Sequence, residues 1–195
     1  MSKNKLKYKL SPNSIKRIEK IHPIENNINI AVNFYQLRKF VDAKLILNKI
    51  LLLNPKHAES WFYIALIADQ EGLHQDAIRY LENALAINPG NLKYLYFLGD
   101  IFYEQNYLQE GVKLFENIIK LYPNDYSGYY NLAVYLQKLK NYKYSLSNYY
   151  KVLEFDEKNI NSLYNIGIIL IDIKDFSSAF KFFERVIELQ PNSDD

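Results

Sequence analysis

"ESWFYIALIADQEG", Glu59 to Gly72, places the chain's single tryptophan three residues before an isoleucine–alanine pair. What recurs around it decides how it is read. Intervals of 34 residues on either side of Trp61 fall on Asn27, Leu95, Tyr129 and Leu163, so the tryptophan occupies a slot that mostly takes a large apolar residue. Three residues further on come Ile30, Ile64, Leu98, Leu132 and Ile166, and beside them the small residues Ala31, Ala65, Gly99, Ala133 and Gly167. A second small column reads Ala43, Ala77, Gly111, Ser145 and Ala179, followed four residues later by Leu47, Leu81, Phe115, Tyr149 and Phe183. Pro55, Pro89, Pro123 and Pro191 share one phase, with Glu157 in the skipped place. Small side chains let two helices approach closely while a large residue one turn away fills the neighbouring groove. The period therefore predicts repeated helix hairpins, with Trp61 a core position rather than a lone binding residue.

Composition agrees with an all-α chain. Of 195 residues 49% are hydrophobic, enough for a buried core, while six glycines and six prolines are too few for a turn-rich β architecture. The opening "MSKNKLKYKL" has no apolar segment behind it, and the longest apolar runs, such as "IGIILI" at 166–171, fall far short of the ~18–20 residues of a membrane span. A cytoplasmic location is expected on that ground. The absence of cysteine excludes disulfides, thiol catalysis and thiolate metal sites and leaves the redox compartment open. Charge is uneven: Lys3, Lys5, Lys7, Lys9, Lys16, Arg17 and Lys20 face Glu19 alone, so a net charge of +2 divides into +6 for residues 1–23 and −4 for residues 24–195.

The stretches "WFYIALIA", "LYFLGDIF", "YYNLAVYL" and "LYNIGIIL", followed by "AIRYL", "GVKLF", "SLSNY" and "AFKFF", resemble the tetratricopeptide repeat, whose signature is W-x-x-L-G-x-x-Y, then A-x-x-x-F, then P over 34 residues. The resemblance covers residues 24–193 as five units (24–57, 58–91, 92–125, 126–159 and 160–193), the first ragged because Asn27 stands in the large-residue slot. It implies a right-handed superhelical solenoid of antiparallel helix hairpins, a TPR-like fold whose product is a curved surface rather than an active-site pocket. Turns between paired helices carry Gly72 or Asn106, residues that tolerate the left-handed backbone of a helix C-terminus, although Arg38, Lys140 and Lys174 fill the same place elsewhere.

The resemblance also implies a concave groove lined by the first helix of each unit at its second, fifth, sixth and ninth places. The fifth reads Ile28, Phe62, Tyr96, Tyr130 and Tyr164, and the sixth and ninth add Tyr63, Leu66, Phe97, Asp100, Asn131 and Asn165. Asn131 and Asn165, one repeat apart, would each offer an amide donor and acceptor to an extended peptide. Phe62, Tyr63, Leu66, Tyr96 and Phe97 would supply apolar anchoring surface, or simply pack against each other. The Lys/Asn/Asn/Lys/Arg clamp with which related arrays grip the acidic tails of heat-shock chaperones needs Lys at the fifth place and Asn at the ninth; these places are apolar or aromatic apart from Asp100, so no clamp is expected.

Two regions flank the groove. In "SPNSIKRIEKIHP", Ser11 suits an N-cap, Pro12 the first helical position, and Ile15, Ile18 and Ile21 helical spacing, which describes a short capping helix; the rival reading is attraction of Lys3 to Lys9 to nucleic acid or an anionic surface. At 177–189, Ala179, Phe180, Phe182, Phe183, Val186, Ile187 and Leu189 spread an apolar arc over roughly 180°, wider than one neighbouring helix hides, so end-to-end self-association of two copies is one expectation there. His22, His57 and His74 form no metal-binding spacing, and "HAE" at 57–59 lacks the cysteine ligands of zinc deaminases. With no nucleophile elbow and no phosphate loop, catalysis, cofactor and metal are not expected. The sequence predicts a protein-interaction scaffold that binds a partner's peptide segment, with the substrate-recruiting arm of a glycosyl-, methyl- or sulfotransferase as the alternative.

Overall fold

The computed structural model describes residues 24–190, with side chains from Asn27 onward. The expected capping helix and the lysines of residues 3–9 lie outside the described residues. Ten helices fill the described chain and no strand occurs among its residues: α1 Ile24–Gln36, α2 Phe40–Leu53, α3 Ala58–Gln70, α4 His74–Ile87, α5 Leu92–Glu104, α6 Leu108–Leu121, α7 Tyr126–Lys138, α8 Tyr142–Phe155, α9 Ile160–Asp172 and α10 Phe176–Leu189. The odd-numbered helices begin at 24, 58, 92, 126 and 160, and the even-numbered at 40, 74, 108, 142 and 176, so both sets keep the 34-residue step of the sequence.

The step is marked by recurring chemistry at the ends of the odd-numbered helices. Every odd helix ends in a left-handed residue: Arg38 (φ 56°), Gly72 (φ 75°), Asn106 (φ 60°), Lys140 (φ 58°) and Lys174 (φ 66°). Each turn closes with the same pair of bonds, as when Asn141 N–H donates to Leu136 O at 2.8 Å and Lys140 N–H to Gln137 O at 2.8 Å. This is a Schellman closure, which satisfies carbonyls that the helix would otherwise leave without partners. The later odd helices begin on a side-chain cap: His57 Nδ1 accepts from Ser60 N–H, Asn91 Oδ1 from Tyr94 N–H, Asp125 Oδ1 from Ser127 N–H and Asn159 Oδ1 from Ser162 N–H. The prolines fall just past the even helices, as expected, yet α8 ends at the equivalent place with Glu157 there. The turn there closes as it does at Asn54 before Pro55: Asp156 takes Lys158 N–H on its carboxylate and Asn159 N–H on its carbonyl, as Asn54 takes Lys56 N–H and His57 N–H, so the proline is not required for it.

The chain divides within α5 into two compact units, residues 1–94 and 95–195. In the first, α1 pairs with α2 and α3 with α4, and α3 also packs on α1 and α2. Its core gathers Ala31, Ala43, Leu47, Ile50, Ile64 and Ile67, with Trp61 half-buried beside them. The indole donates to Pro55 O at 2.9 Å and stacks on Tyr80, so Trp61 ties the end of one hairpin to the start of the next. Tyr129, two periods later, donates its hydroxyl to Pro123 O at 3.2 Å in the same arrangement.

In the second unit glycines of the small columns meet aromatic rings directly, Phe115 and Phe183 from a large column and Tyr135 from outside it. A Cβ at Gly99 would lie 2.6 Å from Phe115 Cζ, one at Gly111 would lie 1.9 Å from Tyr135 Cε1, and one at Gly167 would lie 2.6 Å from Phe183 Cζ. Each glycine is therefore the seat of an aromatic ring. Tyr135 and Tyr149 are 2% and 0% exposed, and both hydroxyls are satisfied, Tyr135 donating to Gly99 O and Tyr149 to Gln137 Oε1 at 2.8 Å. Ser145, the polar member of the second small column, donates to Ala133 O at 2.7 Å. Among the described residues no helix is long and apolar enough to cross a membrane.

Candidate functional site

Of the residues expected to line a groove, the first unit holds Phe62, Tyr63 and Leu66 on α3. Phe62 is 2% exposed and offers no surface to a ligand, which corrects its assignment to the groove. Its ring stacks on Tyr94 at 4.7 Å between centroids, and Lys93 Nζ lies 4.5 Å above it. The fifth place of α3 is thus core, and the outward aromatic is Tyr63, half-buried against Tyr35 at 5.6 Å. Leu66 is half-buried on the same helix. Burial holds the phenols of Tyr35, Tyr63 and Tyr94 above their ordinary value of 10.0.

In the second unit the expected residues separate by role. The Tyr96 hydroxyl donates to Asp125 Oδ2 at 2.6 Å, and its pKa is driven far up by burial first and that bond second. Asp125 is also the cap of α7, so Tyr96 braces a helix start. The Asn131 amide donates to Ser127 O at 2.9 Å, within its own helix. Phe97 is half-buried and Asp100 exposed on α5. Tyr164 is 50% exposed on α9, its ring edge against Phe183.

Tyr130 and Asn165 are brought together in a cavity of about 410 Å³, lined by Tyr103 of α5, Tyr130, Val134, Gln137 and Lys138 of α7, Tyr149 of α8 and Asn165 of α9. Asn165 Nδ2 donates to the Tyr130 hydroxyl at 3.2 Å, and Gln137 Oε1 accepts from Tyr149. Burial, then the neighbouring Tyr130 and Tyr103, raise the Tyr149 pKa, so this hydroxyl stays protonated and fixes which end of Gln137 it meets. An amide carries both a donor and an acceptor end. Gln137 therefore keeps its N–H donors for the cavity, and Asn165 keeps its carbonyl acceptor. Lys138 Nζ lies 4.0 Å above the Tyr103 ring and donates to Tyr103 O at 3.3 Å.

Tyr103, Gln137 and Lys138 were missed in the sequence because they lie at the twelfth and thirteenth places of their units, beyond the ninth. The signal was present, since three residues on from the ninth place is the next turn of the same helix face. A second depression of about 430 Å³ lies between α6, α7 and α8. Leu132 and Leu136 are its buried part, and Asn148 on its rim turns its amide donor back to Tyr144 O of its own helix.

Three family models described as tetratricopeptide repeat match the chain, at residues 28–92, 70–139 and 160–193. No curated protein matches it in sequence. Among solved structures it is similar to MamA (41-end) from Desulfovibrio magneticus RS-1, with a TM-score of 0.78 at 17% identity over 88% of this chain and 97% of that one. It is also similar to YrrB, described as a TPR protein with an unusual peptide-binding site, with a TM-score of 0.73 at 19% identity over 94% of this chain and 95% of that one. PilF of Pseudomonas aeruginosa follows with a TM-score of 0.69 at 19% identity over 85% and 75%. At these identities the likeness is one of fold.

Proposed function

We propose that this chain, which tetratricopeptide-repeat models match at residues 28–139 and 160–193, acts as a non-catalytic interaction module whose second unit holds an extended peptide segment of a partner in the α7–α9 cavity. The observation that supports this most is the pair of amides with opposite unspent ends. The Gln137 donor and the Asn165 acceptor match the carbonyl and N–H of a peptide backbone, while Tyr103, Tyr130 and Val134 offer ring and aliphatic surface to a side chain. That YrrB carries a peptide-binding site on the same fold is in keeping with the reading.

The test uses the full chain and a Gln137→Met/Asn165→Leu variant, which keeps side-chain volume and removes the two free amide ends. With folding checked by circular dichroism, quantitative capture from extract of the source cell should lose a partner from this variant and retain it on Tyr144→Ala, a change on the exposed side of α8. Equal capture by all three chains would sink the cavity as the binding site. A second proposal concerns α10, where Phe176 and Phe180 are each 63% exposed and Ile187 66%; this face is assigned to pairing with a second copy of the chain.

A further inference from the structure

We infer that the segment bound in the α7–α9 cavity carries a carboxylate beside a large apolar side chain, and that Lys138 recognises it. This rests on the peptide-binding reading of the cavity and adds the chemistry of the ligand. The lining is asymmetric in charge: it contains one cation, three tyrosines, two amides and a valine, with no carboxylate among them. Among the described residues no carboxylate pairs with Lys138; its contacts are the ring and carbonyl of Tyr103.

An ammonium has three donors, and one is used on Tyr103 O. Two remain for a ligand. Lys138 is also the basic residue in the last turn of α7, where a positive charge complements the helix's C-terminal end, and that role alone could be filled by a lysine pointing into open solvent. Instead the ammonium rests on an aromatic face at the cavity edge, which limits its rotation and holds the charge beside the Tyr103, Tyr130 and Val134 surfaces. A partner that places an apolar side chain against those surfaces then brings a carboxylate one or two residues away to the Lys138 ammonium. The carboxylate comes from an aspartate or glutamate side chain or from a free chain terminus.

The probes are immobilised nine-residue peptides of serine and glycine with Asp-Phe, Asn-Phe, Lys-Phe or Asp-Ser at the centre, each amidated, and the Asn-Phe peptide also ending in a free carboxylate directly after Phe. Dye-labelled full chain should bind Asp-Phe roughly two- to fivefold more tightly than Asn-Phe, the range of an exposed charge pair. That preference should vanish in Lys138→Gln and persist in Lys143→Gln, a lysine over the Tyr144 ring outside the cavity. Preference for the amidated Asp-Phe peptide identifies a side-chain carboxylate, and preference for the free terminus identifies the chain end. Equal binding of Asp-Phe and Asn-Phe that is lost in Gln137→Met/Asn165→Leu overturns the carboxylate inference and leaves the cavity reading standing. Binding of no peptide overturns both.

Discussion

Lys140 and Lys174 carry φ values of 58° and 66°, which an L-residue adopts against its own Cβ, whereas Gly72 meets the same requirement without one. The turn bonds are identical in all three, so the difference is local strain rather than lost contacts. Lys140→Gly should therefore stabilise the chain by about 0.5–1 kcal/mol, the left-handed penalty less the extra freedom of glycine in the unfolded state. The check is a urea titration, in which the midpoint rises and the slope is unchanged; a lower midpoint would show that the lysine side chain contributes more than its backbone costs. At this scale the sequence was readable in its local requirements. Gly72 and Asn106 announced the turn, and the period carried it to Arg38, Lys140 and Lys174, which local propensity alone would have placed inside a helix. What stayed hidden was Phe62, whose burial depends on Lys93 and Tyr94 of another helix and not on its own helix periodicity.

Helices in the second unit pack by seating rings on glycines; the columns displayed this for Gly99 with Phe115 and Gly167 with Phe183, but not for Gly111, whose ring comes from Tyr135 outside them. The candidate cavity was legible only in part. Tyr130 and Asn165 were named, but which end of each amide is spent follows from the hydroxyls of Tyr130 and Tyr149, a pairing that no spacing displays. α10 shows the opposite case, where the arc read from spacing has a direct counterpart in exposure. Ala179 is 2% exposed and Phe183 half-buried, while Phe176, Phe180 and Ile187 lie on one flank of the helix and remain open. If that flank pairs two copies, the sedimentation coefficient should rise with protein concentration, and Phe180→Glu/Ile187→Glu should hold the chain monomeric at every concentration without loss of helicity. A wild-type chain that sediments as a monomer throughout would remove α10 as a pairing face.

At the scale of the whole molecule, each unit packs a set of phenols that are buried or half-buried. Tyr35, Tyr63 and Tyr94 in the first unit and Tyr96, Tyr135 and Tyr149 in the second all have pKa values raised above 10.0, with desolvation the largest cause in each. A raised folded-state pKa means that the unfolded chain releases its proton first. The stabilisation is fully present below about pH 10, the unfolded value, and drains away as pH rises through the folded value. Tyr135 and Tyr149, the two most buried, each remove up to about 1.4 kcal/mol for every pH unit above 10, so together they remove about 3 kcal/mol by pH 11. Against a net stability on the order of 5–15 kcal/mol, that loss, with the other phenols adding to it, brings the chain to unfolding within roughly two pH units above 10. Alkaline titration followed together by tyrosinate absorbance and far-ultraviolet circular dichroism should show exposed phenols ionising first and a later, steep fraction that ionises only as helicity is lost. Tyr149→Phe should flatten that late step, because one proton fewer is coupled to unfolding. A single smooth phenol titration completed while the helices remain intact would mean that Tyr135 and Tyr149 reach water in the folded chain, and would contradict the packing that places them on Gly111 and against Tyr130.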